Sequence, residues 1–209
     1  MADAGDCAPR TRKSLLPQSL LPHFGLPRFS LAIALIMAAS LSLHGQQAKP
    51  TEYQVKAAYL YNFGKFVEWP AEANTANSDS FPVCILGHDP FGPSLDAALA
   101  GEKIDGKNVA ARRISKAQEA GECRIVFVSS SEAGQLKDIL AALGKSPVLT
   151  VSDIPQFASR GGMIEFVLAE NKVRFTINLT AAEDAGLTLS SELLKVAVAV
   201  LKNPKPGPA

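Results

Sequence analysis

Residues 123–131 read CRIVFVSSS. From Ile125 to Val128 nothing polar interrupts the run, so it cannot be a strand with one wet face. It reads as a strand buried on both faces. FPVCILG (81–87) and PVLTVSD (147–153) read the same way. Helical signals lie between and around these runs. Pro90, after Asp89, opens a helix through Phe91 to Leu99, and a short one is expected over 116–120. Ser131 is placed to cap a helix from Glu132 to Leu143, closed by Gly144. Ser190 or Ser191 caps a last helix, Glu192 to Lys202. Buried strands alternating with helices predict an α/β fold, a three-layer sandwich with a mainly parallel central sheet and helices on both faces. Two hairpin signals add antiparallel pieces. One is 103–113 around Asp105-Gly106; the other joins strands 162–168 and 173–179 at Glu170-Asn171, near the C-terminus.

Upstream, residues 56–70 read KAAYLYNFGKFVEWP, a local concentration in a chain that is only 7% aromatic. On a helical wheel over 52–67, Tyr53, Val55, Tyr59, Leu60, Phe63, Phe66 and Val67 share one arc, and Gln54, Ala58, Tyr61, Asn62 and Lys65 the other. This is an amphipathic helix with a face to bury. Tyr53, Tyr59, Phe63 and Phe66 form its expected buried stripe. Lys56 falls inside the apolar arc and must snorkel or pair. Pro70 closes the segment. Tyr61 and Trp69 sit nearer the polar edge and the helix end, and they are the candidates for a partner surface.

The ends are expected to be trimmings. Arg10, Arg12, Lys13 and Arg28 precede the apolar run Phe29–Leu43, which as a helix spans about 22 Å, short of a hydrocarbon core of about 30 Å. Residues 1–45 therefore read as a secretory signal peptide, with an uncleaved anchor as the alternative. Residues 46–52 are a linker, 53–202 the domain and 203–209 a flexible tail. The segment 1–45 carries net +2 of the chain's formal +1, so the remainder is −1. Such a chain offers no basic footprint for nucleic acid and no polybasic patch for lipid headgroups. Cys84 and Cys123 remain after residue 45. An even count in an exported chain points to a disulfide between them, with two buried free thiols as the alternative.

Catalytic patterns are sparse. His88 is the one histidine after residue 45. Gly87, His88 and Asp89 lie just past the first buried strand, where α/β sheets place ligands, and they are the ligand-site candidates. Ser129–Ser131 lacks a nucleophile-elbow pattern. Gly161-Gly162 precedes a strand, so it aims no helix N-terminus at a phosphate. Two cysteines and a histidine fall short of a structural zinc set, and no cofactor is called for. Asp153, Glu165 and Glu170 have no spacing that pairs carboxylates. Binding or regulation is favoured over catalysis.

Five stretches, in order, carry a resemblance: YQVKAAYLYNFGKFVEWP, CILGHDPFG, CRIVFVSSS, VLTVSDIPQFASRGGMIEFV and KVRFTINLTAAEDAGLTLSSELLKVA. Together, over about residues 52–202, the chain resembles the YfiR/HmsC family. The resemblance implies a homodimeric regulator in the bacterial periplasm. It would repress an inner-membrane diguanylate cyclase by binding the cyclase's periplasmic region, and so lower cyclic-di-GMP and biofilm formation. It also implies an OmpA-like outer-membrane lipoprotein that sequesters the repressor, and a disulfide that bears on folding and activity. The chain departs from the best-studied relatives in having no second cysteine pair between Arg124 and Leu168. Two other readings stand beside this one: a periplasmic small-ligand sensor with its pocket near Gly87–Gly92, and a hydrolase using His88.

Overall fold

Each buried run becomes a strand whose alternate side chains point to opposite faces of the sheet, because the side-chain period of a strand is two. In the computed structural model, which describes residues 49–71 and 80–202, β2 (Ser80–Leu86) sends Phe81, Val83 and Ile85 to one face and Cys84 and Leu86 to the other. β5 (Ile125–Val128) does the same with Ile125 and Phe127 against Val126 and Val128. Both layers are thus packed, and a parallel arrangement is stable.

The remaining elements, in order, complete a sandwich. α1 is Glu52–Phe66, β1 Val67–Glu68, α2 Pro93–Leu99, β3 Lys103–Ile104 and β4 Lys107–Ile114. A 3-10 turn (Ala117–Glu122) precedes β5, and another (Ser130–Gln135) runs into α3 (Leu136–Leu143). β6 (Leu149–Ser152), β7 (Ile164–Ala169) and β8 (Lys172–Asn178) follow. Last come α4 (Leu179–Asp184), β9 (Thr188–Leu189), α5 (Ser191–Val196) and β10 (Ala199–Leu201). The eight-stranded sheet has the order β10-β8-β7-β6-β5-β2-β4-β3, and β1 pairs with β9 separately. Strands β4, β2, β5, β6 and β7 are parallel neighbours, while β3 and β8 are antiparallel to β4 and β7. α1, α2, α4 and α5 contribute to the core on one face. α3, both cysteines and Phe157 build the core on the other.

Both hairpin turns adopt the left-handed backbone that two-residue loops require. Asp105 and Gly106 have φ of 50° and 78°, and Glu170 and Asn171 have 52° and 56°. Thr51 caps α1 with a capping box closed by Gln54. Cys84 and Cys123 are joined in a disulfide, with Cα atoms 6.0 Å apart.

Four expectations need correction. The cap after β5 is Ser129, whose side chain accepts from the Ser131 backbone N–H; it starts the 3-10 turn that leads into α3. The helix after β2 opens at Pro93, with Gly92 before it, rather than at Pro90. The last helix stops at Val196, and Ala199–Leu201 joins the sheet beside β8. The alternating β-branched run Val196–Val200 suits that strand better than a helix. Phe66 is exposed, at 39%: α1 ends there and the chain turns into β1, which carries the side chain off the covered face. The expected signal peptide 1–45 and tail 203–209 lie outside the described residues. Glu52, at the end of the expected linker, already belongs to α1.

The Gly161-Gly162 pair has a packing role. A Cβ at Gly162 would collide with the ring of Phe157, which is fully buried. Gly162→Ala should cost about 1–3 kcal/mol by overpacking. Gly121→Ala, where a Cβ meets nothing within 4 Å, should leave the thermal midpoint nearly unchanged. Equal midpoints for the two variants would refute the packing role.

Candidate functional site

In an open parallel sheet the ligand crevice opens at the carboxyl ends of two neighbouring strands whose outgoing connections run over opposite faces. Here those strands are β2 and β5. α2 follows β2 on one face, and α3 follows β5 on the other. Gly87, His88 and Asp89 therefore do lie at the switch point.

The protein fills that crevice with its own side chains. Gly87 has φ 90°, and a Cβ there would strike the Ser131 hydroxyl and the Glu132 carboxylate. The His88 backbone N–H donates to Ser131 Oγ at 3.0 Å, and that hydroxyl donates to Glu132 at 2.8 Å. Asp89 is committed to local structure. Its Oδ1 accepts from the Phe91 and Gly92 backbone N–H groups, and its Oδ2 from Arg113 Nε at 2.9 Å. Arg113 also grips both oxygens of Asp96, at 2.8 and 2.7 Å. Those hydrogen bonds hold the Asp96 carboxyl below its ordinary value. The exposed His88 ring has no hydroxyl or carboxylate partner among the described residues, so no relay is assembled around it.

The open space lies one strand further along, beyond the end of β6. A cleft of about 430 Å³ is lined by Glu52, Lys56, Ser130, Asp153, Glu165 and Phe166 among others. Its centre is Lys56, only 3% exposed. The ammonium lies 2.6 Å from Asp153 Oδ2 and 2.6 Å from Glu52 Oε1. It also stands 4.4 Å from the centroid of the Tyr53 ring, a cation–π contact. Tyr53 donates its hydroxyl to Asp153 Oδ2 at 3.0 Å. Asp153 Oδ1 is buried and has no hydrogen-bond partner among the described residues. Across the cleft, Glu165 accepts from the backbone N–H groups of Gln156 and Ala158 and so holds the loop after β6 in place.

Sequence reasoning found half of this site. Lys56 stood out as a charge on an apolar face. Asp153 has no spacing that pairs it with another carboxylate, and its partner is a cation 97 residues away.

Tyr53 reports on the site. Burial, then the Asp153 charge and hydrogen bond, push its phenol from 10.0 up to about 12. A raised folded value contributes stability that is intact below pH 10 and is lost as pH climbs towards 12. Tyr53→Phe should therefore flatten the alkaline fall of the thermal midpoint over that window. An unchanged alkaline profile would show that Tyr53 does not feel Asp153.

Tyr61 and Trp69, the candidates for a partner surface, are both half-buried. Hydrogen bonding to Glu102 raises the Tyr61 phenol, and Lys65 Nζ stands 5.2 Å from its ring centroid. Trp69 packs edge-on against Phe81 with centroids 5.2 Å apart, and its buried Nε1 has no partner among the described residues. Lys65 also lines the depression beside Trp69, so the two candidates adjoin a common lysine.

Among the described residues no helix is long and apolar enough to cross a membrane, and no group of three or more His, Cys, Asp or Glu could hold a metal ion. Curated protein sequences give no significant match. Solved structures give distant ones. A conserved domain protein from Vibrio cholerae is 13% identical with a TM-score of 0.48, over 72% of this chain and 60% of that one. The ABC domain in complex with L-Trp from Streptococcus pneumoniae is 13% identical with a TM-score of 0.47, over 69% and 60%. This chain thus spans about 60% of the length of each. The YfiR/HmsC-like family model matches residues 53–198, from the first turn of α1 to the threshold of β10, and the chain belongs to that family.

Proposed function

We propose that this chain is a periplasmic regulator that represses an inner-membrane diguanylate cyclase by contact with the cyclase's periplasmic region, with no catalysis of its own. Family membership across residues 53–198 carries the reading. The polar groups at the sheet's carboxyl edge support it, because Asp89, Arg113 and Glu165 are spent on turns and loops. An OmpA-like outer-membrane lipoprotein would relieve repression by sequestering the regulator, which acts as a homodimer.

Deleting the gene should raise cellular cyclic-di-GMP, and supplying residues 46–209 behind any secretory signal should restore it. Unchanged cyclic-di-GMP in the deletion strain rejects the cyclase as target. Tyr61→Ala and Trp69→Ala are read twice, by thermal midpoint and by cyclic-di-GMP. Tyr61→Ala should weaken repression with a small loss of stability. Trp69→Ala, which also empties the contact on Phe81, should lose both. Full repression by a stably folded Tyr61→Ala removes that residue from the partner surface.

The Lys56 cleft favours a second reading, a small-ligand sensor in which bound ligand tunes partner binding. Native mass spectrometry of the exported protein decides it: a mass excess lost in Asp153→Leu supports the sensor, and the bare mass alone rejects it.

A further inference from the structure

Among the described residues five large hydrophobic side chains are exposed, and four of them gather at one corner. Phe66 (39%) ends α1, Val196 (60%) ends α5, Val198 (52%) leads into β10, and Val200 (37%) lies within it. Phe66 and Val196 share a groove of about 280 Å³ whose floor includes Phe63, Phe175 and Leu193. β10 is the outer strand of the eight-stranded sheet; β8 takes one of its edges and no described strand takes the other. An open edge beside an apolar patch is a template for one more strand.

The local charges select the kind of strand. Residues 195–202 read KVAVAVLK, an uncharged run with an exposed lysine at each end. Lys172 and Arg174 are exposed on the neighbouring β8. Glu192, on the groove wall, is the acid closest to the run in sequence. Antiparallel pairing of two copies of β10 would bring Lys202, just after each strand, towards the end of α5 and Lys195 of its copy, and like charges brought together oppose pairing. A strand with carboxylates flanking an apolar centre meets no such opposition.

We infer that the outer edge of β10 is a docking strand for an extended, apolar, carboxylate-flanked segment of a partner protein. Backbone hydrogen bonds to β10 supply the contact common to all strand addition, Val198 and Val200 receive alternate side chains of the segment, and Val196 and Phe66, at the ends of α5 and α1, extend the apolar surface beside them. Lys195 and Lys202 fix its register by pairing with its flanking acids. The inference does not require the partner to be a cyclase.

The test is a photo-cross-linking amino acid placed at Val200 in the full chain, in its own host cells, with the same group at the exposed Ala141 of α3 as control. Mass spectrometry then reads the attached peptide. The expected adduct at Val200 is one partner segment with Asp or Glu on both sides of an apolar run, absent from the Ala141 control. Lys195→Glu/Lys202→Glu should reduce that adduct about tenfold or more, since like charges juxtaposed across an interface cost several kcal/mol. Lys195→Gln/Lys202→Gln should reduce it less, and it serves alone if the reversal fails to fold. The inference is overturned by no adduct, by an adduct only to a second copy or to this chain's own residues, by a segment without acids, or by indifference to both lysine changes. A carboxylate-flanked partner with no signalling role leaves the docking strand standing and removes the cyclase reading. Raised cyclic-di-GMP in the deletion strain without any Val200 adduct does the opposite.

Discussion

Lys56→Ala is expected to lower the unfolding free energy by about 3–5 kcal/mol, the usual cost of removing one partner of a buried ion pair. The side chain is 96% buried, and that of Asp153 is 88% buried. Without the ammonium, Asp153 keeps only the Tyr53 hydroxyl, and its Oδ1 already has no partner among the described residues. Glu52 adds little to the deficit because its carboxylate is 40% exposed and stays hydrated. The asymmetry between breaking a pair and replacing it gives a sharper test. Lys56→Met/Asp153→Leu removes both charges and fills similar volume, so it should recover most of the lost stability. Urea unfolding of the parent, Lys56→Met, Asp153→Leu and the double variant, with Lys56→Ala beside them, at neutral pH measures this. A single variant within 1 kcal/mol of the parent, or a double variant that loses as much as the two singles together, would show that the pair is not the buried tie it looks to be.

The fold was legible wherever a short-range rule decides the outcome. Buried strands announce themselves as uninterrupted apolar runs, and 81–87, 123–131 and 147–153 all became parallel strands. Asp105, Gly106 and Asn171 are turn residues by their own backbone preferences, and both hairpins are tight; Glu170 takes the same left-handed backbone without such a preference. The failures lie where a distant neighbour decides. A serine cap and ELLK favour a helix from residue 191, and α5 does form; the helix yields to a strand where the β-branched run meets the edge of β8, which offers hydrogen bonds to Ala199–Leu201. Phe66 shares the apolar arc of Phe63, yet one is exposed and the other buried, because Phe66 is the last residue of the helix and the chain leaves the covered face there.

The site divides along the same line. His88 stands out as the one histidine after residue 45, a property of composition, and its ring has no hydroxyl or carboxylate partner among the described residues. Asp89, next to a proline, was already in turn context, and its carboxylate caps the turn into α2. Lys56 was legible as a contradiction, a charge on the buried face of a helix. Its resolution was not, because Asp153 closes the pair from across the fold. Buried charge pairs leave half their signature in a local pattern, and the other half appears only when the chain is folded.

Cleaving the Cys84–Cys123 bond, by Cys84→Ala/Cys123→Ala or by reduction of the unfolded chain, should remove about 4 kcal/mol. That figure is the loop-closure entropy for a separation of 39 residues, and an upper guide since the unfolded chain keeps some structure. The bond ties β2 to the residues just before β5, and these are neighbouring strands at the centre of the sheet. Native strand pairing already holds them together, so the folded state gains little from the link and the effect acts through the unfolded ensemble. Two consequences follow for measurement. First, both sulfurs lie in the core beneath α3, so a reductant should act on the native protein only as fast as the protein opens, and loss of the bond should track unfolding rather than reductant concentration. Second, the urea dependence should steepen in the double-alanine variant, because an uncrosslinked chain exposes more surface on unfolding. Two free thiols in exported protein, denatured without reductant, would refute the bridge. A double-alanine variant as stable as the parent would instead place the bond outside the stability of the fold and leave it no role but covalent protection of an already paired sheet.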